Sequence, residues 1–597
     1  MHYGAPFFGL CRASAAGRGE RAEKAFGLTP DRRAPSIRAV SVPSDEPTPG
    51  PPIDPPTPSD SGPIAESAAR AARDRGMTRA AGVISGATMM SRLLGLAREQ
   101  VFAAQFGAGY AVDAFQVAFR IPNLLRDLFA EGAMSAAFVP TLTRTQQEKG
   151  PEEAMRLANL VINFLLVVIS ALCVIGIFAA PWIVRVMSPG FAVIPGKIAL
   201  TTLMTQIMMP FLLLVSLAAA VMGILNTRRV FFIPALAPTL LNVGLIASGF
   251  LIAPFCPRFG LEPIVGMAIG ALLGGLGQLL IQVPSLREQG YRWRPVLSFS
   301  DPGVLRMVGL MAPASVGIAA MQVNVFASTF LASTLTQGSV SWLNYAYRLM
   351  QLPIGLFGVA IATVTLAEVS RHAASGNLSD LRDTLSFSLG MVLLLTLPAT
   401  CLLIALAEPI IALLYQHGRF SVADTAETAR ALWAYAIGLT AFSGVRVMVP
   451  AFYSLGLARV PVTVSLVTIA VTVALYFALM GPLHHMGLAL ATSIGSLLNF
   501  AILFVMLRRR IGPLGGRRLV LSAAQITFAS IAAAVAATVI AGAIEGSIGT
   551  RSVAARLLVV GVALGVGGFV FVAIGSFLRV AELRPFLKWV SRWRKRR

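Results

Sequence analysis

Asp113, Arg120, Asp127 and Glu131 are separated by seven, seven and four positions within an otherwise largely apolar stretch. On a helix turning about 100° per residue, they fall within roughly 40° of one another and form one charged stripe on one face. Arg126 flanks the stripe, and the preceding apolar segment adds Arg92, Arg98 and Glu99, with Arg92 and Glu99 one heptad apart. Much further along, Arg348 stands in an apolar segment with no acid beside it. Together these are five arginines against four carboxylates, so positive charge is left over. A guanidinium stays protonated and presents a planar fork that holds phosphate bidentately, so the chemistry such a set supports is anion binding, and a diphosphate suits it. The alternative is that the charges are structural ion pairs sealing neighbouring helices.

The elements that must position these residues are membrane spans. The chain has 597 residues, 56% hydrophobic and 13% charged, whereas a soluble domain carries about 25% charged residues. Fourteen continuous Ala/Leu/Val-rich runs of spanning length recur between about residue 80 and residue 580. They are unlike the alternating ten-residue segments of a barrel, so the expected fold is an all-α polytopic membrane protein. Each charge near the bilayer centre costs about 2.5–3.5 kcal/mol, so the charged faces of the first two spans must line protein or water.

The net charge of +22 reads as topology rather than as affinity for nucleic acid. Basic residues collect in alternate connections, at Arg144, Lys149 and Arg156, at Arg228 and Arg229, at Arg287, Arg292 and Arg294, and at Arg508 to Arg510, Arg517 and Arg518. The opposite connections hold little beyond Lys197, Arg258, Arg419 and Arg551. Both termini are therefore expected in the cytoplasm. The four cysteines are scattered and suggest neither a disulfide framework nor a metal site.

Residues 1–76 are Pro/Ser-rich and read as a disordered cytoplasmic extension, or as a mis-assigned start preceding Met77. An echo of Ala118-Phe119-Arg120 in Ala346-Tyr347-Arg348 suggests two pseudo-symmetric six-helix lobes, 77–295 and 296–512. Two further spans (513–580) and a basic tail (581–597) follow. Pro122, Pro353, Gly355 and Gly358 break the charged spans. Gly266, Gly270 and Gly274, and likewise Gly561 and Gly565, have the spacing of close helix packing.

The same residues carry a family resemblance. It runs through Ser91-Arg92-Leu93-Leu94-Gly95-Leu96-Ala97-Arg98-Glu99, Phe106-Gly107-Ala108-Gly109, Asp113-Ala114-Phe115, and Phe119-Arg120-Ile121-Pro122-Asn123-Leu124-Leu125-Arg126. It continues at Phe129-Ala130-Glu131-Gly132-Ala133, Pro234-Ala235-Leu236-Ala237-Pro238, Gly338-Ser339-Val340-Ser341-Trp342 with Arg348-Leu349-Met350, and Pro450-Ala451-Phe452-Tyr453-Ser454. Over roughly 77–510 the chain resembles the MurJ (MviN) family of lipid II flippases, within the multidrug/oligosaccharidyl-lipid/polysaccharide exporter superfamily.

The resemblance implies two six-helix lobes around a central cationic cavity, with the last two helices forming a groove for a lipid tail. It implies that Arg92, Arg98, Arg126 and Arg348 hold the pyrophosphate. Asp113, with Glu99 and Glu131, would pair with arginines in the empty carrier, Arg120 belonging to the same gating set. Asp127, Tyr347 and Gln351 depart from the family pattern around these arginines.

The implied function is alternating-access movement of lipid II, the undecaprenyl-pyrophosphate-linked peptidoglycan precursor, from the inner to the outer leaflet of the bacterial inner membrane, for cell-wall biogenesis and cell shape. Its partners would be lipid II, the membrane itself and cell-wall synthesis or division proteins. The alternative is an exporter of another lipid-linked oligosaccharide or of a drug. An enzyme is not expected, because the only adjacent histidines, His484 and His485, read as a polar loop tip and the outer connections are short. No cofactor is expected. Gly196-Lys197 is followed by Ile198 rather than by the rest of a phosphate-binding loop, which leaves membrane potential or an ion gradient as the energy source.

Overall fold

The computed structural model describes residues 86–128 and 132–584. Expectations for residues 1–76, for Glu131 and for the basic tail from residue 585 fall outside the described residues. Within them the fold is all-helical.

Span 1 is residues 86–106, and span 2 begins as Tyr110–Arg126. The helix Gly132–Met187 finishes span 2, doubles back at Gly150, and becomes span 3. Span 4 is Lys197–Thr227, span 5 is Phe232–Leu236 with Thr239–Leu251, and span 6 is Val265–Leu280. Span 7 is Pro302–Ser333, started by Pro302 and by Asp301, whose side chain accepts from the amides of Gly303 and Val304. Span 8 is Ser339–Pro353, a π-helical turn Ile354–Gly358, and Val359–Ala374. Span 9 is Leu378–Ala405, and span 10 is Val422–Ser454, opened by a Ser421–Asp424 capping box. The helix Arg459–Ile511 folds back at His484 to give spans 11 and 12. Spans 13 and 14 are Gly516–Ile548 and Val553–Phe577.

Arg120 and Arg348 are 228 positions apart, and the same offset carries Asp127, where span 2 turns π-helical, onto Gly355, inside the π-turn of span 8. Equivalent spans in the two halves thus break at equivalent places. A π-turn inserts an extra residue and is a common mark of functional sites.

One apolar core lies under the 104–113, 188–197, 333–345 and 415–420 connections, on the arginine-poor side. It joins Phe102, Phe115, Tyr345, Tyr415 and Phe420 from both halves. A second core, around Phe138, Leu160 and Leu225, belongs to the first half but takes in Val304 and Met307 of span 7. A third, around Leu385, Phe452 and Leu507, belongs to the second half. Spans 13 and 14 pack on span 9 through Leu394, Ile526 and Phe571.

Gly270 and Gly274 bring span 6 onto span 5 at Ser248 and Gly244 and at Leu241, and Gly266 brings it onto the backbone of Ala253 just beyond, as the spacing predicts. Gly561 and Gly565 differ from that expectation, because a methyl group at either would meet nothing within 4 Å. In span 14 the close packing is made instead by Gly567, against Leu402 and Ala533.

Candidate functional site: an arginine cluster under a sealed gate

Span 1 places Arg98 and Glu99 in the interior, both buried. The Arg98 guanidinium pairs with Glu99 and also donates to Asn242 Oδ1 of span 5 at 3.0 Å. Asn242 in turn donates to the Ser91 carbonyl at 3.1 Å, tying span 1 to span 5. From the other half, Arg348 of span 8 reaches the same Glu99 oxygen, Nε to Oε1 at 3.0 Å. One carboxylate oxygen therefore holds two guanidiniums from the two lobes. The second oxygen, Oε2, is buried with no hydrogen-bond partner. The Arg348 side chain remains 46% exposed.

Arg120 lies within electrostatic reach of Arg348, and its own neighbours are Tyr347, Tyr435 and Asp127. Tyr347 and Tyr435 form an edge-to-face pair at 5.5 Å. Arg92 ends against the π-turn of span 8, where a methyl group on Gly355 would collide with its guanidinium. Among the described residues neither Arg92 nor Arg120 has a side-chain hydrogen bond or ion pair. Arg126 pairs with Asp127 at 3.0 Å, and Asp127 also accepts from Gln322 of span 7 at 3.0 Å.

Asp113 corrects the sequence expectation. Among the described residues it meets no arginine; its partner is Lys197 at the start of span 4, Nζ to Oδ2 at 3.0 Å, with both side chains almost wholly buried. Asp113 also accepts from the amide of Gly338 at 2.8 Å and from the amide and hydroxyl of Ser341 at 2.9 and 2.6 Å. The reason is local. Gly338, the residue before span 8, has no side chain with which to cap that helix, so the carboxylate of the opposite lobe caps it and meets the positive end of its dipole.

Nearby contacts extend this seal. Tyr345 donates to the Gly107 carbonyl at 3.1 Å, and the Arg419 amide donates to the Ala104 carbonyl at 2.9 Å. Gly107 has φ of 71°, and a Cβ there would press on the Arg419 carbonyl, so the turn between spans 1 and 2 requires glycine on both counts.

The structure thus brings together Arg98, Glu99 and Arg348, brings Arg92 and Arg120 to the same seam, and leaves Arg126 with Asp127. Lys197 and Asn242 were missed, although a single lysine at the head of an apolar run and a single asparagine within one were readable signals. His484 stands exposed where spans 11 and 12 fold back, as a loop tip should, but His485 beside it is buried, packs at a tilt against Trp342 at 5.1 Å and bonds the Glu427 carbonyl.

A two-lobed helical bundle sealed on one side, with cations gathered at the seam, defines a membrane carrier of the alternating-access type. In fold the chain is similar to a multidrug resistance MATE family transporter of the MOP superfamily in an inward-facing conformation, with a TM-score of 0.59, 17% identity and coverage of 73% of this chain and 98% of that one. It is more similar to a structure described as lipid II flippase MurJ, inward closed conformation, with a TM-score of 0.69, 26% identity and coverage of 84% of this chain and 99% of that one.

The family model for the lipid II flippase MurJ matches residues 102–559. A lipid II flippase MurJ from Burkholderia cenocepacia is 36% identical over 436 residues, 72% of this chain and 84% of that protein. A probable lipid II flippase MurJ from Vibrio cholerae is 36% identical over 431 residues, 71% of this chain and 81% of that protein. The chain belongs to the MurJ lipid II flippase family.

Proposed function

We propose that this chain moves lipid II from the inner to the outer leaflet of the cytoplasmic membrane by alternating access. The observation that carries the reading is the Glu99 oxygen shared by Arg98 and Arg348 across the lobe seam. A diphosphate offers those guanidiniums the same bidentate partner with more charge, so substrate and Glu99 compete for them. Arg92 and Arg120, which make no other side-chain bond, supply further donors, and Arg126 joins by leaving Asp127. When the headgroup departs, Glu99 recaptures Arg98 and Arg348, which prevents bare cations from facing each other in a low-dielectric site.

The arginine-rich connections face the cytoplasm, so both termini lie inside and the Asp113 seal closes the outer side. The conformation then accepts its headgroup from the inner leaflet. Exposed apolar side chains along spans 13 and 14, such as Phe528, Val535 and Leu557, offer a track for the polyprenyl tail. The energy source is the membrane potential or an ion gradient, each charge moved being worth about 2.3 kcal/mol per 100 mV.

The test is replacement of the native flippase in a depletion strain, scored by lipid II accessible in the outer leaflet. The wild-type chain restores it, and alanine at Arg98 or Arg348 abolishes the restoration when the signal is normalised to the amount of protein in the membrane. Failure of the wild-type chain, or full activity of both variants, overturns the reading.

A further inference from the structure

On the arginine-rich face of the first lobe, far from the seam, is a cavity of about 670 Å³ that the transport reading does not use. Its walls are Ile162 and Leu166 of span 3, Leu217 and Val221 of span 4, and Leu279 and Leu280 of span 6. Leu166 and Leu280 are exposed, so the slot opens sideways where lipid would lie. Its mouth carries Arg287, Arg292 and Trp293. Among the described residues neither arginine makes a side-chain hydrogen bond or an ion pair, and both are exposed.

The mouth is built rather than incidental. Asn159 and Asn163, one turn apart on span 3, hold the extended segment 291–296 in place. Asn159 accepts from Tyr291 Oη at 2.8 Å and from the Arg294 amide at 2.9 Å, and donates to the Arg292 carbonyl at 3.2 Å. Asn163 donates to the Arg294 and Val296 carbonyls at 2.7 and 2.9 Å and accepts from Trp293 Nε1 at 3.0 Å. The asparagines satisfy backbone groups that would otherwise lie exposed to the membrane boundary, and they fix where Arg292 and Trp293 stand. Indole at the boundary, two unpaired guanidiniums beside it and a narrow apolar slot below match a phospholipid in all three of its parts.

We propose that this cavity is a binding site for an anionic phospholipid, with one acyl chain in the slot between spans 3, 4 and 6 and the headgroup phosphate on Arg287 and Arg292. Among the described residues no acid pairs with either guanidinium: Glu153 pairs with Arg156 in the adjoining cleft, at 3.3 Å, while Glu152 in that cleft and Glu288 beside Arg287 make no ion pair. The site does not depend on the transport reading; only its assignment to the cytoplasmic leaflet uses the proposed topology.

The experiment reconstitutes the full chain in phosphatidylethanolamine nanodiscs with increasing phosphatidylglycerol whose acyl chains carry bromine. The signal is the quenching of Trp293, isolated by subtracting a Trp293→Phe variant. Saturable quenching is expected at a low mole fraction of phosphatidylglycerol. In the variant combining Arg287→Ala with Arg292→Ala its midpoint should rise about thirtyfold, equivalent to about 2 kcal/mol at roughly 1 kcal/mol per basic residue. Lysine at both positions should restore most of the affinity, and alanine at Arg517 and Arg518 should leave it unchanged. The proposal is overturned if the double alanine variant keeps the wild-type midpoint. It is also overturned if brominated phosphatidylethanolamine quenches equally, or if soluble glycerol phosphate displaces the lipid, since the first shows an unselective slot and the second a headgroup-only site.

Discussion

Replacing Asp113 by asparagine should open the sealed side, and the structure allows the size of the effect to be worked out. Asp113 accepts four hydrogen bonds, one from Lys197 within its own lobe and three from Gly338 and Ser341 in the other. Only the latter three depend on the lobes being closed together. Bonds to a charged acceptor contribute about 1.5–3 kcal/mol each and neutral ones about 0.5–1.5. An amide also turns a donor toward one of the groups that now donate to the carboxylate. The closed state should therefore lose about 3 kcal/mol, a shift of more than about a hundredfold toward the open one.

Lys197→Met is the informative partner. It removes the charge pair but leaves all three cross-lobe donors on Asp113, so stability falls while the seal holds. Spin labels at Val193 and Val422, exposed positions on the sealed side in the two lobes, report the distance between them in an otherwise cysteine-free chain. Asp113→Asn should broaden and lengthen that distribution, and Lys197→Met should not. An unchanged distribution in Asp113→Asn, or an equal shift in the two variants, would refute the reasoning.

Further outcomes follow from the same geometry. Gly355→Ala should push the Arg92 guanidinium off the span 8 turn and cut lipid II transport at least tenfold with the melting temperature nearly unchanged, measured in the depletion strain and by thermal unfolding. Arg98→Ala should leave Glu99 buried with Arg348 as its only cation and cost about 3 kcal/mol of stability besides abolishing transport, as seen by chemical unfolding of the purified chain. Asn163→Ala removes three bonds to the 291–296 segment, and trypsin should then cleave after Arg292 much faster than in the wild type.

His485, in the connection between spans 11 and 12, is held below its ordinary value of 6.5 by burial. The unfolded chain binds that proton more readily, so the histidine's share of stability is present above that pH and declines as acid is added. His485→Asn should flatten this part of the pH–stability curve.

Much of this architecture is legible in the chain because burial in lipid leaves so few options. Each apolar run has to be a helix, and the uneven distribution of arginine marks alternate connections. The charged stripe on span 2 could not face acyl chains, and the structure turns its described members, Asp113, Arg120 and Asp127, inward. Partners were less legible. The resemblance pairs Asp113 with arginines, but its position in the first turn of span 2 puts it beside the start of span 8, whose glycine cap needs an outside acceptor. Sequence places Lys197 among the few cations of the arginine-poor connections; only the packed fold reveals that it is enclosed, with Phe191 4.1 Å below its ammonium. Nor does spacing alone separate Gly266 and Gly270, which meet another backbone, from Gly561 and Gly565, which meet none.

The glycine contact between spans 5 and 6 bears on how such a molecule moves. Where main chain rests on main chain there are no rotamers to absorb a displacement, so spans 5 and 6 have little slack between them and should tilt as one stiff plate. Deformation is then concentrated in the pieces that are not regular helix, the π-turn beneath Arg92 and the extended linker leading into span 7. A lever needs a rigid arm as much as it needs a pivot, and in this chain three small residues on one helix supply part of the arm.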